Sequence, residues 1–420
     1  MNNSNLPSAI DQRTLYACAP FADRCLNFIV EADGTAFRQD GPNIALLASL
    51  DHFARTVSQT ELLPFRVRGE MYSKNVRERD ANGQLRIVSQ PTYATAAFPN
   101  PSFPGSGRLV SLLASISAHL AGTNLVLPPH LRLLLEIFFD HPISRCTVHD
   151  LNAFAADIGR TVADLYNDFV DRFRQALLAK NFLRRELHNW YLGSRENLAS
   201  LRAYLDDLFV GHPSLTVLHL RLLLASPSTG DAHDVRALRN CRTKLFERMR
   251  RNPALFAAKT GYIWAILPSL DGRYDLHLTL LVNTRSLDKL LDDKRVEAEL
   301  AGVAPKDYAE LVGACWIDVA GGAGRYFRAD REGVLYAAEW VHGEIRADDT
   351  VRRQTLLQAL GYLAVRRALV RLNNEPRGEY FGMRERKARA QHMLSGGDKS
   401  EVDRGEDACM DTLENGIQNA

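Results

Sequence analysis

With 420 residues, 46% of them apolar and 24% charged, the chain has enough material for a large core and for two domains or more. No apolar run reaches the ~18 residues that span a bilayer, and the opening Met1-Asn-Asn-Ser-Asn-Leu-Pro7 lacks the basic end and apolar stretch of a secretion signal. The six cysteines, at 18, 25, 146, 241, 315 and 409, form no CxxC pair, so a cytoplasmic protein with reduced thiols and no structural zinc is expected.

The formal net charge of +2 conceals an asymmetry. Residues 398–420 hold seven acids and two bases, a balance of −5 that leaves +7 on the rest. The bases gather in two places: Arg236, Arg239, Arg242, Lys244, Arg248, Arg250 and Arg251, and the stretch Arg366–Arg389 with eight bases against three acids. A planar guanidinium meets phosphate oxygens in bidentate fashion, which suits nucleic acid. The structural alternative is a solvated helix face.

Residues 1–105 give a poorly defined segment. Phe65-Arg-Val-Arg-Gly-Glu70 and Leu85-Arg-Ile-Val-Ser89 read as strands, and the Pro-rich stretch near 91–106 reads as a loop or linker. A helical domain is expected over 107–190, on stripes such as Leu109, Leu112, Leu113, Ile116 and Leu120, and Val162, Leu165, Phe169 and Phe173. Pro128 and Pro129 mark one helix start, Asp150 caps another, and Arg195–Leu208 is a further helix.

From residue 191 to 386 the pattern is mixed. Leu215–Leu224 is a strand, and Asp234 caps a helix with Val235, Leu238, Leu245 and Met249 on one face. Gly261–Pro268 and Tyr274–Val282 form a hairpin around Asp271-Gly-Arg273. Helices follow over Leu287–Leu300 and Pro305–Ile317, then a strand over Val334–Trp340 and a helix over Thr350–Arg371. The fold class is α+β: an antiparallel sheet with flanking helices on one side, preceded by a mainly helical N-terminal region. Residues 387–420 read as a disordered acidic tail.

One constellation carries chemistry. Alternation puts Asp275 and His277 on the same face of their strand, a spacing that suits one Mg²⁺ or Mn²⁺ ion, with His219 on the first strand as a third ligand. Tyr362 falls on a helix, with Arg366 one turn on to stabilise its phenolate. A tyrosine oxygen can attack a phosphodiester and form a covalent intermediate. The turn Gly321-Gly-Ala-Gly-Arg-Tyr326 offers backbone N–H groups to phosphate, so Gly322, Gly324, Arg325 and Tyr326 join Arg239, Arg242, Arg248 and Arg251 as candidate nucleic-acid contacts. Trp264, Trp316 and Tyr326 could stack bases, although a core position is the better reading of the two tryptophans.

The same residues carry a resemblance. From about Asn189 to Arg386 the chain resembles the YagK/YfjJ C-terminal domain family, replication-protein-like products of inoviruses and prophage islands. It does so in Thr216-Val-Leu-His-Leu220, Arg248-Met-Arg-Arg-Asn252 with Leu255-Phe256, Gly261-Tyr-Ile-Trp264, Tyr274-Asp-Leu-His-Leu278, Trp316 with Gly321–Phe327, Gly361-Tyr-Leu363 and Phe381-Gly382. The family looks related to HUH rolling-circle initiators, which bind a metal with two histidines and nick single-stranded DNA with a helix tyrosine. The resemblance implies a DNA-binding protein of a prophage or mobile element, with single-stranded DNA or origin duplex as partner, and homo-oligomers or host replication proteins beside it. Membrane partners are not expected. The chain departs from the pattern at Asp275, where the first histidine is expected, at Leu267 in place of a glutamate, and at Val365 in place of a lysine. Three readings follow: a metal-dependent single-stranded DNA endonuclease and strand transferase with degenerate motifs, a non-catalytic DNA-binding or regulatory protein on the same fold, and a protein-interaction module.

Overall fold

The computed structural model describes residues 10–30, 35–38, 41, 43–79, 82–103, 125–146, 151–155, 159–179, 183–224, 235–252, 256, 258–269, 272–331, 336, 340–373, 375 and 378–384. The Leu109–Leu120 stripe, the Asp150 and Asp234 caps, most of the Val334–Trp340 strand and the acidic tail lie outside these residues.

Asp11 opens the first helix by accepting a hydrogen bond from the Thr14 amide. This is α1 (Gln12–Asn27), followed by the short pair β1 (Phe28–Val30) and β2 (Ala36–Arg38) and by α2 (Ile44–Gln59). Two long strands, β3 (Phe65–Arg79) and β4 (Leu85–Pro99), pair along their whole length as an antiparallel ribbon. The segment Pro91–Pro99, expected as loop, is thus strand: a two-stranded ribbon has two open edges, where proline costs no ladder hydrogen bond. Then come β5 (Leu125–Val126), α3 (Pro129–Asp140), the small hairpin β6 (Phe154–Ala155) and β7 (Arg160–Thr161), α4 (Val162–Ala179) and α5 (Leu183–Gly211).

The second half runs β8 (Ser214–Leu224), α6 (Val235–Arg251), β9 (Lys259–Pro268), β10 (Tyr274–Asn283), α7 (Thr284–Ala301), α8 (Tyr308–Val319), β11 (Gly324–Arg328), β12 (Gly343–Arg346), α9 (Thr350–Leu369), β13 (Arg371–Leu372) and β14 (Phe381–Met383). Strands β11, β8, β10, β9 and β14 lie side by side in that order, and β12 pairs with the opening residues of β8. Every pairing is antiparallel. The class is α+β.

Helices cover both faces of this sheet, where one covered face was expected. Leu276, Leu278 and Leu280 of β10 join Leu220, Leu222, Trp264 and Ile266 in one core, beneath α6, α7 and α8. The opposite residues, including Val217, Ile263, Ala265 and Leu281, join a larger core with α1, α5 and α9. Strands that are apolar on both sides need both sides covered. The larger core draws on described residues from Ile10 to Val370, on either side of positions 107 and 191. No helix among the described residues is long and apolar enough to cross a membrane.

Candidate functional site

Alternation along β10 turns Asp275, His277 and Thr279 toward α9, and the register sets His277 opposite Arg221 and Thr279 opposite His219. Tyr362 on α9 reaches the same place. Its hydroxyl lies 3.1 Å from His277 Nδ1, so the imidazole and the phenol expected to work together do meet.

They meet inside the protein. Tyr362 has no exposed surface, and Asp275, His277 and His219 are all buried. The cover comes from α1: Cys25 donates its S–H to the Tyr362 oxygen at 3.2 Å, and the Phe21 ring stacks on the phenol with centroids 6.1 Å apart. Trp340 closes the rest, with its ring 5.6 Å from Tyr362 and 4.3 Å from His219. Gly361 permits the close approach of the two helices, since a Cβ there would stand 3.1 Å from Cys18 Sγ of α1.

Burial sets the protonation of the group. It raises the Tyr362 phenol well above 10, with Cys25 and Tyr336 adding to the effect and Arg221 opposing it. Burial lowers His277 well below 6.5, reinforced by Arg221, His219 and Arg366. Burial and Arg221 push His219 down to about 3. Burial lifts the Cys25 thiol to about 11, so it stays a donor. The consistent proton arrangement is a chain from Cys25 S–H to the Tyr362 oxygen, and from Tyr362 O–H to an unprotonated His277 Nδ1. His277 Nε2 and His219 Nε2 are buried with no hydrogen-bond partner among the described residues, while His219 Nδ1 lies 2.7 Å from Thr279 Oγ1.

The carboxylate is taken. Arg221 Nε donates to Asp275 Oδ2 at 2.6 Å, and its Nη2 pairs with the same oxygen and donates to the Phe28 carbonyl at 3.1 Å. Burial opposes the charge on Arg221, yet Asp275, Cys25 and Tyr336 hold its pKa above the usual guanidinium value. Among the described residues no three His, Cys, Asp or Glu side chains are grouped to hold a metal ion. The donor set present does not fit Mg²⁺ or Mn²⁺: two imidazoles lie side by side, the one carboxylate is neutralised, and Arg221 and Arg366 act on His277 with positive charge.

Arg366 does not serve Tyr362. It is buried, lies 3.8 Å from Glu375, and is held down to about 10 by burial. The cation acting on the phenol is Arg221. Leu267 and Val365, at the positions where the family pattern has glutamate and lysine, are buried apolar side chains.

The remaining expected contacts lie across the sheet, on the α6 and α8 side. Arg239 stacks on Tyr380 with 4.8 Å to the ring centroid, and Arg242 stacks on Trp264 at 3.9 Å. Arg248 pairs with Asp318, and Arg251 is exposed at the end of α6. The glycine turn is closed to phosphate through its amides. Gly321 N–H donates to the Asp318 carbonyl at 3.0 Å, Gly322 to Ile317 at 2.9 Å and Ala323 to Ala320 at 3.2 Å, so the turn caps α8. Gly321 and Gly322 take positive φ for this purpose. Exposed Arg325 donates to the Gly322 and Gly324 carbonyls. Gly324 packs on Trp316 and Tyr326 against Gly313, so Tyr326 is no free stacking platform. Trp264 and Trp316 are core residues.

Sequence reasoning passed over Arg221 and Cys25. Arg221 had a signal: a charged side chain inside the apolar run Leu218–Leu224 demands a buried counter-ion, and it shares a face with His219 two residues earlier. Comparison with known protein families, with characterised proteins and with solved structures finds no match.

Proposed function

We propose that this is a DNA-binding protein on a replication-initiator-like sheet, related to products of prophages and mobile elements, in which the tyrosine is a structural residue and does not cut. The observation that carries DNA binding is the outer face of α6. This helix holds seven bases and one acid, and Arg236, Lys244, Arg250 and Arg251 are exposed opposite Leu238, Leu245 and Met249 on the sheet. Clustered cations on one face are the electrostatic footprint of a phosphate backbone. The case against cutting rests on Tyr362, whose sealed hydroxyl no phosphodiester can approach while α1 is in place.

The test is binding of the full chain to labelled single-stranded and duplex DNA over a salt series. A steep fall of affinity with salt is the expected result. Absence of binding at low salt overturns the reading and leaves a protein-interaction module.

A second reading, a single-stranded DNA endonuclease, is favoured by the convergence of Tyr362 on His277. It requires α1 to leave the sheet, and its sign is a covalent protein–DNA adduct.

A further inference from the structure

The β3–β4 ribbon is the least explained part of the molecule. Its strands are 15 residues each, about 50 Å of chain at the usual rise per residue. It is fastened at its base, where Asn167 exchanges hydrogen bonds with the Phe65 backbone and Asn152 accepts from the Ala97 amide. Arg66 within that base, and Arg68, Arg77, Arg79 and Arg86 beyond it, are exposed. An isolated two-stranded ribbon is marginally stable in water, so a ribbon of this length gains order from what it grips.

We infer that this ribbon is a second DNA-binding element that lays its tip in a groove of duplex DNA. The inference rests on the DNA-binding reading above. Charge points to the partner: residues 65–99 hold six bases and three acids. At the tip the register pairs Arg77 with Ile87 and Arg79 with Leu85 on one face, while Glu78 stands opposite Arg86. Ile87 is 69% exposed and Leu85 64%, beside arginines that can reach phosphates. Charges alone would serve to keep a ribbon edge from pairing with other chains. That role does not call for aliphatic side chains at the same tip, whereas contact with base edges does.

The shape favours a duplex. A two-stranded ribbon fits the major groove, about 12 Å wide. Binding of single strands relies on aromatic stacking platforms, and residues 75–89 contain no aromatic residue. A second copy of the chain is disfavoured, because two such ribbons bring like charges together.

The test uses the full chain, a fluorescein-labelled mixed-sequence duplex and the matching single strand, read by anisotropy across a salt series. R77A/R79A/R86A is expected to flatten the duplex slope of log K against log salt by about 0.9 for each phosphate that those arginines neutralise. L85S/I87S is expected to weaken duplex binding about tenfold with the slope kept. Single-strand binding should change little in either. If the wild type binds duplex and both variants match it in affinity and slope, the ribbon inference is overturned and DNA binding through α6 stands. If the wild type binds no DNA, the functional reading itself fails and the inference goes with it. If the variants instead alter only the sedimentation of a self-associated species, the ribbon is a contact between copies, and the inference is likewise overturned.

Discussion

The Tyr362 hydroxyl sits 3.1 Å from His277 Nδ1, both side chains are buried, and α1 covers the tyrosine through Cys25 and Phe21. A pairing that reads as catalytic in the sequence is therefore built as a buried polar link between helix and sheet. Buried links of this kind are costly to leave half-made. Tyr362→Phe leaves His277 Nδ1 and the Cys25 thiol without the hydroxyl. Chemical denaturation should show a loss of about 1–3 kcal/mol, with DNA affinity unchanged.

The Arg221–Asp275 pair gives a second expectation. Both residues are buried, and Arg221 also ties the sheet to the Phe28 carbonyl at the end of α1. Asp275→Ala strands a buried guanidinium and should cost roughly 3–5 kcal/mol. The double variant Arg221→Met/Asp275→Leu removes both charges and should recover most of that loss. Equal destabilisation by the single and double variants would show that the pair is not coupled.

The histidines set a pH dependence. His219 is pushed down to about 3 and His277 well below 6.5, so both are neutral in the folded protein while the unfolded chain protonates them near 6.5. The unfolded state then binds more protons below that pH. Stability is full above about pH 6.5 and falls below it by ~1.4 kcal/mol per pH unit for each histidine that stays neutral in the fold, a fall that for His219 continues to about pH 3. His52, His130 and His141 are lowered in the same sense. His277→Gln should be shallower than wild type by one such contribution as pH falls below about 6. An unchanged slope would mean that His277 is already charged in the fold.

Gly361 sets the contact between α1 and α9. Gly361→Leu forces a branched side chain against Cys18 and should lever the helices apart, at a cost of about 1–3 kcal/mol. Labelling of Cys18 and Cys25 by a thiol reagent reads the opening directly. Both are buried and should react slowly in the wild type and faster in the variant. Equal rates would show that α1 does not depend on this contact.

The period-2 pattern of β10 made Asp275 and His277 neighbours on one face, and the helical run after Thr350 delivered Tyr362 toward them. Those relations are local, or follow from one strand meeting one helix. What the sequence did not disclose is non-local. Asp275 pairs with Arg221 from another strand, and Tyr362 is capped by Cys25, 337 residues away. The split of the candidate contacts between two sheet faces depends on which helices cover which side, and apolar strands look alike from either side. The glycine turn misled because its positive φ angles serve a helix end as readily as a phosphate. The ribbon was visible only in pieces, since its proline-rich return strand carries loop-like composition.

The most direct measurement incubates the full chain with end-labelled single-stranded DNA and Mn²⁺, then runs the mixture on native and denaturing gels. The expected result is retarded DNA on the native gel and no covalent adduct on the denaturing gel, with Tyr362→Phe indistinguishable from wild type. A covalent adduct that the Tyr362→Phe variant abolishes would contradict a sealed, non-cutting tyrosine.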